Sequence, residues 1–139
     1  MVTGGDILSR RSAREAAMKL IFQINYNPGE YEDILKGFDS GKNIDANDIR
    51  YINDTVKGTV SNIESIDSEI EKYSRGWKKN RIAKVDLAIL RLAIYELKFT
   101  DMPYEIAINE AVEIAKKYST DKSGSFINGV LSAVLKDKN

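Results

Sequence analysis

Near the start of the chain, Arg10, Arg11 and Arg14 stand together with a single neighbouring acid, Glu15. A guanidinium suits phosphate because its planar fork donates two parallel hydrogen bonds and stays protonated at any physiological pH. On a helix Arg10 and Arg14 share a face, with Arg11 about 100° to one side. Positive charge near a helix N-terminus opposes the helix dipole, so the group carries a small stability cost that favours a functional reading. A second basic segment, residues 75–84, holds Arg75, Lys78, Lys79, Arg81 and Lys84 and no acid, while residues 30–71 carry a net −7. The whole chain is neutral, so charge is segregated, the layout expected of a nucleic-acid footprint on one face. Either basic segment alone also fits a solvated helix end.

Aromatic and acidic residues lie near these bases. Phe22 falls roughly two turns beyond Arg14, and Trp77 adjoins Lys78 and Lys79. Each can stack on an unpaired base or pack in a core. Asp86, in an otherwise apolar run, suits two roles: accepting from a base amino group, or complementing a helix N-terminus. Asn109 and Glu110 read as structural, and Asn128 with Gly129 reads as a site of close helix packing. Cysteine and histidine are absent, which removes thiol chemistry, disulfides, the usual zinc ligand sets and histidine-dependent catalysis. Glu110 and Glu113 form an acid/base pair only in principle, with no metal set or Gly-rich phosphate loop beside them. The expectation is a non-enzyme without a cofactor.

The elements that position these residues are helices. Apolar residues recur three and four apart, and the two prolines, Pro28 and Pro103, sit at breaks. A first helix is predicted from an N-cap at Ser9 to Ile24, and a short one over 31–38, with a loop at 39–43. Ile49, Ile52, Val56, Val60, Ile63, Ile66, Ile70 and Tyr73 keep one stripe, predicting a single helix roughly 40 Å long; Gly58 within it offers close helix contact. Residues 82–98 are apolar on nearly all sides, as in a central helix. Residues 104–118 read as a helix with Ile106, Ala107, Ala111, Ile114 and Ala115 inward. A polar link over 119–125 leads to a last helix over 126–136, with Ile127, Val130, Leu131 and Val134 buried. The 139 residues suit one domain: a flexible leader over 1–9, then a helical domain over 10–139 with subdomains of about 10–74 and 76–139 hinged at Arg75-Gly76. No signal peptide or membrane-spanning run is evident, so a cytoplasmic location is expected.

Several motifs resemble the NusB family. They are Arg10-Arg11-Ser12-Ala13-Arg14-Glu15 with Leu20-Ile21-Phe22-Gln23, Trp77-Lys78 through Arg81-Ile82, and Val85-Asp86-Leu87-Ala88-Ile89-Leu90-Arg91-Leu92-Ala93-Ile94-Tyr95-Glu96-Leu97. The most specific are Ile108-Asn109-Glu110-Ala111-Val112-Glu113-Ile114-Ala115-Lys116-Lys117-Tyr118 and Phe126-Ile127-Asn128-Gly129-Val130-Leu131. The resemblance spans roughly residues 10–136. It implies an all-α fold of two three-helix bundles packed as one domain, without catalytic activity. It also implies binding of the single-stranded boxA element of ribosomal RNA transcripts together with NusE, a small-subunit ribosomal protein, within an RNA polymerase antitermination complex. The RNA surface so implied comprises Arg10, Arg11, Arg14, Phe22, Asp86 and the loop Lys122 to Phe126 before the last helix; Lys78 and Lys79 join it on charge. Ser125, Lys122 and Leu87 depart from the family pattern.

Tyr95, Tyr104 and Tyr118 are the candidate aromatics of a protein-docking surface, although each can equally cap the core. Two other functions fit an all-helical chain: a protein-only scaffold or homodimer, and a stand-alone relative of the NusB-like domain of ribosomal RNA methyltransferases.

Overall fold

A computed structural model describes residues 4–26, 33, 36, 45–74 and 81–138, and side chains within 10–24, 33, 36, 45–74 and 81–137. The predicted helix over 31–38, apart from the helical Asp33 and Lys36, falls outside these, as do the 39–43 loop, the Arg75-Gly76 hinge and Trp77. The described residues form six helices and no strand: α1 (Gly4–Tyr26), α2 (Ala46–Ser61), α3 (Ile63–Tyr73), α4 (Lys84–Phe99), α5 (Tyr104–Tyr118) and α6 (Asp121–Lys138). The all-helical expectation holds.

α4 is the hub. Leu87, Ala88, Ile89, Leu90, Leu92, Ala93, Ile94 and Leu97 are all buried along it, and it packs against each of the other five helices. An apolar surface on nearly every side can be removed from water only by such a central position. Two charges inside the hub are paired. Arg91 donates from Nε and Nη2 to the two carboxylate oxygens of Asp67 on α3, at 2.9 and 2.8 Å; Glu96 meets α1 and α2, as described below.

Four details depart from the sequence expectation. α1 begins at Gly4, so Ser9 lies within the helix and not at its cap; residues 4–9 contain no proline to stop the helix there. The single 40 Å helix is two. Asn62 interrupts it with φ −114° and ψ 20°, its Nδ2 donating to Gly58 O at 2.8 Å and its N–H shared between Gly58 O and Thr59 O at 3.2 Å each. A short amide side chain that competes for helix carbonyls breaks the ladder while the apolar stripe runs on through buried Ile66 and Ile70.

Ile106 is 48% exposed instead of inward. The inner stripe of α5 is Ala107, Glu110, Ala111, Ile114 and Ala115, about 100° away from Ile106. Finally, α6 starts at Asp121, five residues before the predicted start at Phe126. Thr120 caps it: Oγ1 accepts from Ser123 N at 3.0 Å and its carbonyl from Gly124 N at 3.1 Å. Polar residues that read as a loop are here a cap and a first turn. Among the described residues no helix is long and apolar enough to cross a membrane.

Candidate nucleic-acid interface

The three arginines of α1 meet three different fates. Arg14 is only 3% exposed. Its Nε and Nη2 donate to the Glu96 carboxylate at 2.9 and 3.2 Å, and Nη1 to Glu110 Oε1 at 3.5 Å. Tyr51 of α2 donates its hydroxyl to Glu96 Oε2 at 3.0 Å; burial, then the adjacent carboxylate, raises the Tyr51 pKa, so it remains a donor. The expected exposure of the arginine face therefore does not extend to Arg14, which ties α1 to α4 and α5. Its acids stand 82 and 96 positions along the chain on other helices, so no local charge pattern reveals the pairing.

Arg11 stays at the surface, its side chain 42% exposed. Its Nε lies 3.1 Å from both Glu110 oxygens, and its Nη2 donates to Oε2 at 2.7 Å. The hydrogen bonds to that carboxylate, and its charge, raise the guanidinium pKa further. Arg10 sits 3.5 Å from Asp48 Oδ1, with its guanidinium 4.3 Å from the centroid of the Tyr51 ring.

Beyond Arg11 the seam between α1 and α5 carries lysines that the sequence reading missed. Lys117 and the Tyr118 hydroxyl both donate to Glu15 Oε1, at 2.9 and 2.6 Å. Lys19 lies 5.0 Å from the Tyr118 ring centroid and Lys117 5.3 Å from it, within cation–π range. α1 and α5 run in the same direction along this seam, since Arg11 meets Glu110 and Glu15 meets Lys117. Phe22, farther along α1, is partly buried against the core.

The seam leads through Ser119 and Thr120 into a cleft of about 350 Å³ lined by Arg81, Ile82, Ala83, Asp86, Lys122, Ser123 and Phe126. Asp86, Lys122 and Phe126, far apart in sequence, thus come together; Lys122 and Phe126 lie in the first turns of α6 and not in a loop before it. Ser123 Oγ donates to Asp86 Oδ2 at 2.8 Å. Asp86 Oδ1 is buried and accepts no hydrogen bond among the described residues. A cleft with a carboxylate in its lining, an aromatic wall and two cations at its rim can take a flat group joined to an anion. Lys78 and Lys79 lie outside the described residues.

The three tyrosines do not gather in one place. Tyr118 turns to α1, as above. Tyr95 is half-buried over Gly58 of α2 and stacks on Phe99 with centroids 5.8 Å apart. Tyr104 is exposed at the start of α5. No cluster of potential metal ligands occurs among the described residues.

The profile of the NusB family matches residues 11–136. The transcription antitermination protein NusB of Acetivibrio thermocellus is 52% identical over 132 residues, covering 94% of this chain and 91% of that protein. The protein of the same description from Natranaerobius thermophilus is 49% identical over 138 residues, covering 95% and 98%. The structure of T. maritima NusB superposes with a TM-score of 0.84 at 37% identity, over 99% of this chain and 94% of that one. A crystal structure of antitermination factors NusB and NusE in complex with dsRNA superposes at 0.77 with 32% identity, over 93% and 97%. With the profile covering Arg11 and Arg14, the hub and the cleft alike, the chain belongs to the NusB family of transcription antitermination proteins, a family of non-enzymes.

Proposed function

We propose that this protein binds single-stranded boxA-type RNA of ribosomal RNA transcripts, together with a NusE-type ribosomal protein, as an adaptor of the antitermination complex in the cytoplasm. The observation that carries the reading is the cleft at Asp86. The Asp86 carboxylate lines it, with Oδ1 unpaired among the described residues but covered in the free protein; a base amino group that opens the cleft to reach it would make the contact by which side chains tell bases apart. Phe126 offers a ring for stacking, and Arg81 and Lys122 offer cations for the flanking phosphates. From there the strand would follow Lys19, Lys117 and Arg11 along the seam. A single-stranded base fits such a cleft because it is not already paired and stacked in a duplex.

The structure of NusB and NusE in complex with dsRNA supports joint binding of RNA by the two proteins. A short strand offers each protein few contacts, and two proteins on one RNA raise each other's affinity by the same factor. The test titrates a boxA-like RNA into this protein alone and into an equimolar mixture with the ribosomal protein. Tighter binding in the mixture is expected. Equal affinities would make this protein a self-sufficient RNA binder, and no binding in either case would remove the RNA reading.

A further inference from the structure

Glu110 is an acid, 6% exposed, within a surface otherwise assigned to phosphate. Its carboxylate touches two arginines at once, buried Arg14 through Oε1 at 3.5 Å and half-exposed Arg11 through both oxygens. Behind it, Glu96 holds Arg14 with the help of Tyr51. Arg11, Arg14, Glu96 and Glu110 together are neutral. The carboxylate occupies the Nε/Nη2 side of the Arg11 fork. The N–H groups of Nη1 and the outer one of Nη2 make no protein hydrogen bond among the described residues.

We propose that Glu110 is a positioning residue, one that holds Arg11 with the outer edge of its guanidinium turned towards the RNA backbone. The inference rests on the reading of Arg11 as an RNA contact. An unrestrained arginine loses rotamer freedom when it meets a phosphate; here that freedom is already lost in the free protein, and the fork that remains is the one that fits two phosphate oxygens. The alternative is plain electrostatics, in which an acid on an RNA face only repels phosphate. The two accounts differ in sign. Removing the charge at Glu110 tightens RNA binding if repulsion rules, and weakens it if positioning rules.

The experiment measures boxA-like RNA affinity, with the NusE-type protein present, for Glu110→Gln, Glu110→Asp, Arg11→Ala and the Glu110→Gln/Arg11→Ala pair, with a thermal melt of each. Glu110→Gln should weaken binding about three- to tenfold, corresponding to the ordering of one flexible side chain, even though the protein becomes more positive. The double variant should bind as Arg11→Ala alone does, because Glu110 acts through Arg11. Unchanged or tighter binding by Glu110→Gln, or additive losses in the pair, overturns the proposal. If Glu110→Gln melts below the assay temperature, Glu110→Asp decides: it keeps the charge but shortens the reach to Arg11, so several-fold weaker binding supports positioning and wild-type affinity overturns it. Wild-type affinity of Arg11→Ala would instead take Arg11 off the RNA surface, a failure of the underlying reading that the other variants do not mimic.

Discussion

Gly58 and Tyr95 occupy each other's space: a Cβ built on Gly58 would lie 2.3 Å from Tyr95 Cε1 and 2.4 Å from its hydroxyl oxygen. The α2 backbone is the seat on which the α4 tyrosine rests, and the same ring stacks on Phe99. Alanine at position 58 would gain about 1 kcal/mol of helix propensity but would force the ring from its seat. Overpacking of this kind costs about 1–3 kcal/mol, so Gly58→Ala should be net destabilising in urea unfolding. In a Tyr95→Ala background the sign should reverse.

Arg14 and Arg11 should differ sharply in stability although three residues apart on one helix. Arg14→Ala leaves the buried Glu96 carboxylate without its cation, a loss of about 3–5 kcal/mol. Arg11→Ala removes a half-exposed partner and leaves the buried Glu110 its contact with Arg14, so it should cost clearly less. Urea denaturation of the two variants checks the contrast; equal losses would mean that Arg14 is not the buried partner.

Glu15 gives a pH signature. Burial alone would raise its carboxyl pKa, but hydrogen bonds from Tyr118 and Lys117 outweigh burial and hold it below the ordinary 4.5. A carboxylate depressed in the folded state contributes stability above its unfolded pKa and loses it as pH falls through the folded value. The contribution should therefore be intact at neutral pH and disappear progressively below pH 4.5. An NMR titration of Glu15 should show a midpoint below that value, rising towards it in Tyr118→Phe.

Lys122 and Asp86 should separate affinity from discrimination. Lys122→Ala removes one cation and should flatten the dependence of log K on log salt by about 0.7, the value for one phosphate contact on a single strand. Asp86→Asn keeps an acceptor for Ser123 but offers the cleft a donor. It should reduce the preference for RNA bearing an amino base at the matching position by roughly tenfold, since a good base contact is worth about 1–3 kcal/mol. Unchanged preference across a set of single-base RNA variants would empty the cleft of its assigned role.

Leu92 on the hub is buried, while Ile63 at the start of α3 is half-buried. Leu92→Ala should cost about 2–5 kcal/mol, and Ile63→Ala less, because fewer contacts and a smaller cavity are involved. Chemical denaturation of both variants tests the order.

What the sequence revealed and what it hid follow one physical line. Stripes of apolar residues three and four apart announced the helices, and the apolar girth of residues 82–98 announced a hub. Breaks and starts governed by one side-chain hydrogen bond, at Asn62 and Thr120, left no trace in periodicity. Asp86, Lys122 and Phe126 were recognisable one by one through the family resemblance, yet their meeting in a cleft is a tertiary fact. Lys19 and Lys117 escaped notice because isolated lysines on helices are ordinary, and only Tyr118 and Glu15 between them mark the seam. Arg14 looked like its neighbours because its acids are on other helices; the one hint was that Glu96 and Glu110 stand on inward stripes.

The distances along the chain within that charged knot bear on biosynthesis. Arg14 and Glu96 are 82 positions apart, and Arg11 and Glu110 are 99. A ribosome adding about 5–20 residues per second would need roughly 5–20 s after making the first helix to supply the last of its acids. Throughout that interval Arg11 and Arg14 lack their acids, while Arg10 has Asp48 only 38 positions on, and α1 cannot settle against α4 and α5. Closure of Glu96 and Glu110 onto the first helix is therefore a late step of biosynthesis, and it is the step that converts two free guanidiniums into one buried tie and one held surface contact.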